Sequence, residues 1–180
     1  MSTELETAVL LTRAHQFDPQ ALAALHDQLY PQVYRYVCYR VGDQQVCEDI
    51  SSEVFLRFLV VLKNKQTVQS ARGWLFGTAN HLVMDFYRKK YRRRDEDLDH
   101  HTDIADPHSP EHEVDAAFTK QEVRHAMLNL TLDQQHVIAL RFSQELSLEE
   151  TAQVMGKSIN AVKVLQYRAL AALRRQLDGR

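Results

Sequence analysis

Residues 147–175, SLEETAQVMGKSINAVKVLQYRALAALRR, decide how this chain folds. Ser147 and Glu150 stand three apart, the spacing of a reciprocal capping box, and predict the start of a helix. Leu148, Ala152 and Met155 follow on one face of it at four- and three-residue steps. Gly156 falls where that helix must end, because glycine tolerates the left-handed backbone that a helix C-cap needs. Ser158 can cap a second helix, whose inward face carries Ile159, Val162, Leu165 and Ala169. A small residue, a glycine turn and apolar side chains in this order suit two crossing helices, a helix-turn-helix. The second helix keeps Asn160, Lys163, Val164, Tyr167 and Arg168 for its outward face. Amide, cationic, apolar and aromatic side chains of that kind reach base edges and phosphates in a major groove. A plain helical hairpin with a solvated basic face is the competing reading, and it leaves the spacing unexplained.

The rest of the composition fits a helical protein. Five Gly and four Pro in 180 residues are few, which favours helices over turn-rich β structure. Two cysteines, Cys38 and Cys47, do not make a disulfide framework, and a reducing compartment fits them. The N-terminus, MSTELETAVL, lacks the basic and apolar regions of a signal peptide. Unbroken aliphatic or aromatic runs such as residues 58–62 are too short to cross a membrane. A soluble, cytoplasmic protein with no membrane insertion is expected.

The net charge of −2 conceals three blocks. Residues 1–94 hold 13 Lys/Arg against 9 Asp/Glu, residues 95–117 hold 9 acids and no base, and residues 118–180 hold 9 bases against 6 acids. Two basic bodies joined by an acidic connector suit a protein whose ends meet nucleic acid while its middle lies elsewhere. The connector carries Pro107, Pro110 and few apolar residues, so it cannot bury enough surface to fold alone.

Helical periodicity fills both basic blocks. Asp18-Pro19 predicts a helix start, and that helix runs to about Leu29; Pro31 then restarts the chain into residues 33–39, and Gly42-Asp43 breaks it. A further helix places Ile50, Val54, Phe55, Phe58, Leu59 and Leu62 on one face. Residues 63–70, KNKQTVQS, lose the periodicity and read as a loop. The next helix begins near Arg72, buries Trp74, Leu75, Thr78, Ala79, Leu82, Val83 and Phe86, and ends among the basic residues 88–94. Beyond the connector, Thr131 and Gln134 can cap a helix bearing Val137, Ile138, Leu140 and Phe142 that feeds the helix-turn-helix. No segment alternates as a strand does. The expected fold is all-α, two small helical bundles (1–94 and 118–180) joined by a flexible acidic linker (95–117), the second ending in the helix-turn-helix.

The order CEDISSEVFLRFL (47–59), a polar loop, RGWLFGTANHLVMDFYRKKYRR (72–93), an acidic linker, LNLTLDQQHVIALRF (128–142) and a terminal helix-turn-helix resembles the extracytoplasmic-function (ECF) group of the sigma-70 family of bacterial RNA polymerase sigma factors. The resemblance runs from about Leu22 to Leu177. It implies an N-terminal domain that binds the polymerase clamp helices and opens and reads the −10 promoter element. It implies a C-terminal domain that reads the −35 element as duplex and lies near the flap region of the large subunits, with the linker threading the active-site cleft. Core-polymerase binding would then fall to Glu48, Asp49, Glu53 and Arg57, charged positions on the outer face of one helix. Contacts to the −10 element would come from Lys63, Asn64 and Lys65 in the loop and from Asn80, Tyr87, Arg88, Lys89 and Tyr91, where cations interleave with aromatics. Contacts to the −35 element would come from Ser158, Asn160, Lys163, Val164, Tyr167 and Arg168. Trp74 resembles the family's buried tryptophan. The chain departs from the family at Val46, where an aspartate is usual, and at Asn80-His81, where Arg-Asn is more common. An anti-sigma protein is an expected partner.

Nothing in the sequence supplies catalysis: nucleotide-cradling glycine loops, nucleophile elbows and metal-hydrolase motifs are missing. No enzyme activity, cofactor or metal site is therefore expected. His100, His101, His108 and His112 in the linker have a composition that can bind a transition metal, but a solvated linker explains them as well. Cys38 and Cys47 flank the Gly42 turn, as buried structural cysteines or as a redox pair. A dimeric helix-turn-helix regulator that binds duplex DNA without polymerase is the alternative function, and it leaves the basic-aromatic helix unexplained.

Overall fold

A computed structural model describes residues 2–96 and 120–178, and all regular structure among the described residues is helical. The first bundle contains α1 (Ser2–Ala14), α2 (Pro19–Val41), α3 (Gln44–Lys63) and α4 (Ala71–Glu96). The second contains α5 (Lys120–Leu128), α6 (Leu132–Ile138), a π-helical turn (Ala139–Ser143), α7 (Leu148–Met155) and α8 (Ile159–Asp178). The expected linker, with its histidines, lies almost wholly outside the described residues; α4 continues two residues past the expected boundary at 94.

Local signals account for most of the helix ends. The Asp18 carboxylate accepts hydrogen bonds from the backbone N–H groups of Gln20 and Ala21, with Pro19 in the first turn. Arg13 also bonds that carboxylate, at 2.8 Å, and holds its pKa below the ordinary value. Gly42 closes α2 in a left-handed conformation at φ 86°, and Asp43 caps α3 by accepting from Val46 N–H. Thr131–Gln134 and Ser147–Glu150 both form full capping boxes, and Gly156 takes the left-handed φ of 61° that ends α7.

Three features differ from the sequence reading. Helix α2 does not stop at Pro31 but passes through it as one 23-residue element, because Leu25, Leu29, Val33, Tyr36 and Val37 keep one buried face across the proline. Helix α1 was not anticipated; Leu11 and Ala14 bury it against the first core. The π turn inserts a wide turn after α6, which shifts the angular register. Phe142 is exposed within it, while Ala139 and Leu140 stay buried.

The first core gathers Leu25, Leu29, Val33, Val54, Phe58, Leu75, Phe76 and Val83 with their neighbours. It also takes in Ala139, Leu140 and Leu146, so the second bundle inserts its π turn and the following loop into the first. A smaller core around Met127, Val137, Ile138, Ala152, Val162 and Ala169 holds the helix-turn-helix together. Between the bundles, Arg72 donates to the Gln144 carbonyl at 2.9 Å, and Arg40 donates to the Leu132 carbonyl at 3.3 Å.

Candidate nucleic-acid interface

Helix α8 is seated by its buried side, where Val162 and Ala169 are fully enclosed and Leu165 is half-buried. Arg141 from the π turn donates to Gln166 Oε1 at 3.0 Å and to the Leu146 carbonyl, fixing the helix against the preceding segment. Ser158 caps α8 by accepting from Ala161 N–H at 3.2 Å. Seated this way, α8 leaves Ser158, Asn160, Lys163, Val164, Tyr167 and Arg168 exposed, with Tyr167 at 76% and Val164 at 50%. A major groove would meet an uninterrupted mixed surface there. Ile159, expected inward, is instead partly exposed as the first residue of α8, outside the packed part of the helix. Lys157 is engaged by Asp133 at 3.3 Å.

The basic-aromatic end of α4 is built in two layers. Phe86 and Tyr87 are half-buried, 5.3 Å apart edge to face, and Lys90 lies over the Phe86 ring at 5.9 Å. The Tyr87 hydroxyl donates to the Arg40 carbonyl at 2.5 Å, so Tyr87 is tied to α2, not freely outward as expected, and burial raises its pKa. Tyr91 stacks on Tyr87 at 6.3 Å and is 56% exposed. Lys89, Arg92 and Arg93 are exposed, and Arg88 pairs with Asp85. Trp74 packs on Phe58 at 5.4 Å, as a core aromatic does.

Lys63, expected in the loop, is the last residue of α3; it and the loop residues Asn64, Lys65, Gln66 and Thr67 all face solvent, while Val68 is buried and pins the loop's far end. Lys65 takes a positive φ of 53°, and the backbone N–H groups of Asn64, Lys65 and Gln66 bond back to α3 carbonyls. The loop thus has an ordered base and a polar tip. Asn80 is held apart from it: its Oδ1 accepts from Arg40 Nη1 at 2.7 Å. Arg40 itself is fully buried and also donates to the Tyr36 hydroxyl.

On α3, Glu48 and Asp49 are exposed, each accepting from a glutamine one turn earlier, and Arg57 bonds Glu53 at 2.7 Å. Leu56 and Val60 are exposed by more than half, and Leu59, expected in the core, is 37% exposed. They form an apolar strip beside the acidic residues, and Leu59 edges a groove of about 390 Å³ lined also by Phe17, Leu22, His26 and Phe55. Sequence reading missed this strip. Its signal was present in residues 58–62, an apolar run filling both faces of an otherwise amphipathic helix.

The sequence matches the Sigma-70 region 2 family over residues 25–93 and the Sigma-70 region 4 family over residues 126–175. It is 32% identical over 181 residues to the ECF RNA polymerase sigma factor ShbA of Streptomyces griseus, covering 92% of both chains. The chain belongs to the ECF sigma factors. The sigma factor is also 37% identical to the ECF RNA polymerase sigma factor BldN of Streptomyces coelicolor, over 93% of its own length and 64% of that relative. Its fold is that of the sigma factor RpoE of Bartonella quintana, solved in complex with the anti-sigma factor NepR: the TM-score is 0.71 at 18% identity, over 85% of this chain and 94% of that one. The two family matches end on the helices that carry the two surfaces described above, α4 and α8. No helix among the described residues is long and apolar enough to cross a membrane.

Proposed function

We propose that this sigma factor binds core RNA polymerase and directs promoter-specific initiation, with residues 1–94 acting on the −10 element and residues 118–180 on the −35 element. The observation that carries the reading is the outward face of α8, where Asn160, Lys163, Val164, Tyr167 and Arg168 are all exposed on a capped helix-turn-helix. Arg168 is the best placed for a bidentate guanine contact, and Val164 for a thymine methyl. The polar tip at Lys63, Asn64 and Lys65 and the exposed Tyr91, Lys89 and Arg88 suit melted DNA, whose bases stack on aromatics and whose phosphates attract cations. Asn80 and Tyr87 enter that surface only by exchanging their bonds to Arg40. Glu48, Asp49, Glu53 and Arg57 with the apolar strip at Leu56, Leu59 and Val60 form the docking edge for polymerase, a polar rim beside apolar anchors. The protein works in the cytoplasm, performs no chemistry itself, and is held in reserve by an anti-sigma protein, as the complex of the Bartonella relative suggests.

The test mixes the purified protein with sigma-free core polymerase and a genomic promoter library and sequences transcript 5′ ends. Starts preceded by shared −35 and −10 elements are expected. R168A and V164A should lower −35-dependent transcription while leaving co-elution with core intact. Tight duplex binding with neither transcripts nor co-elution would hand the case to the dimeric regulator.

A further inference from the structure

Cys38 and Cys47 belong to none of the surfaces above. Cys38 lies in the last turn of α2 and Cys47 in the first turn of α3, and the left-handed Gly42 with the Asp43 cap folds those two turns onto each other. The Cys47 side chain is fully buried at this corner, Cys38 is half-buried, and Tyr34 stands one turn before Cys38 on α2. Both thiols are free. Arg124 of α5 reaches the same corner: its guanidinium lies 3.6 Å from where a Cβ on Gly42 would stand.

We propose that Cys38 and Cys47 are a peroxide-reactive dithiol that closes to an intramolecular disulfide. The difference in access assigns the roles, and the electrostatics of the corner agree with it. Cys38 has the access that an attacking thiol needs, whereas Cys47 has none. The neighbouring Cys47 and Tyr34, with the positive charge of Arg124 at the same corner, hold the Cys38 thiol below its ordinary pKa despite burial. The Cys38 neighbour, together with burial, pushes Cys47 the other way. The arrangement is that of a half-exposed nucleophile with a buried resolving partner across the turn.

The steps balance. The Cys38 thiolate attacks one oxygen of hydrogen peroxide, the O–O bond breaks, and hydroxide leaves to give Cys38 sulfenic acid and, after protonation, water. The Cys47 sulfur then attacks the sulfenic sulfur, the S–O bond breaks, and a second water leaves with the Cys47 proton. Peroxide is the two-electron oxidant throughout. The two sulfurs must close to about 2.05 Å across the hairpin. A small-molecule thiol reverses the bond by exchange, so the device suits a reducing compartment in which disulfides are transient and sensing. The bond would lie next to Glu48 and Asp49, at the start of the α3 docking edge.

The experiment uses the full chain, stepwise hydrogen peroxide, differential alkylation and intact mass. Both thiols should disappear together, with the loss of two hydrogens and no added oxygen, and return on reduction. C47S should stop at a sulfenic acid on Cys38 that dimedone traps, and C38S should react about ten-fold or more slowly because its remaining thiol is buried. Over-oxidation of Cys38 with Cys47 still alkylatable, a disulfide-linked dimer as the main product, or C38S reacting at the wild-type rate would each overturn the proposal. None of these readouts involves polymerase or promoter, so they stand apart from the reading of function above.

Discussion

At the scale of single residues, the seam between the bundles is built around a buried cation. Arg40 is fully enclosed, and its three hydrogen-bond acceptors, Tyr36 Oη, Asn80 Oδ1 and the Leu132 carbonyl, are all neutral. Removing one leaves a buried charge under-satisfied, so N80A should cost about 1–3 kcal/mol in urea unfolding. A loss of promoter activity in that variant without any loss of stability would instead place Asn80 against DNA. His136 sits on the same seam, its ring 5.8 Å from that of Tyr36. Burial, reinforced by Arg40 and Lys157, holds its pKa well below the ordinary value. The sign follows directly: the folded state keeps His136 neutral while the unfolded chain takes up a proton below about pH 6.5. The contribution to stability is complete above that pH and declines as pH falls toward the folded value. Urea midpoints measured from about pH 7.5 down to about pH 5.5 should therefore drop for the wild type and stay flatter for H136F, which keeps a ring against Tyr36. Equal slopes in the two proteins would exclude His136 as the source.

At the scale of elements, sequence reading did best where a helix end is written in side chains. Both capping boxes, the Asp18-Pro19 start and the glycines that close α2 and α7 were legible because each depends on residues within a few positions of one another. It failed where distant packing decides. Pro31 is a local stop signal, yet α2 crosses it because one buried face continues from Leu25 to Val37. Proline there removes a helical N–H and crowds the preceding turn, so P31A should raise stability by about 1–3 kcal/mol in thermal or urea unfolding. An unchanged midpoint would mean that the first bundle has already adapted to the proline. The π turn is the second such case: nothing local distinguishes residues 139–143 from the helix before them, and only the burial of Ala139 and Leu140 in the first core shows why the register changes. For the candidate site the division is similar. The exposed face of α8 was readable from period and capping, whereas the ties of Asn80 and Tyr87 to Arg40 join residues 40 or more apart in sequence.

At the scale of the molecule, the two bundles are one packed unit despite being separate in sequence. Leu140 and Leu146 come from the second bundle, yet they lie in the core built by α2, α3 and α4, exposed by no more than 1%. The Arg72–Gln144 and Arg40–Leu132 bonds close the same seam. Two independent bundles would unfold separately, and a mutation in one would leave the other untouched. A shared core predicts the opposite. Trp74 is the single tryptophan and packs on Phe58 in the first bundle, so its fluorescence follows that bundle, while far-ultraviolet dichroism follows all helices. The two probes should give coincident transitions. L146A, in the second bundle, should shift the Trp74 transition by about 2–5 kcal/mol, the cost of truncating a buried leucine that cannot be refilled. If the dichroism transition moves and the tryptophan transition does not, the seam is too weak to couple the bundles. Coupled transitions would mean that the shared core makes the two bundles a single folding unit, so that separating them costs the burial of Leu140 and Leu146 and the two seam hydrogen bonds.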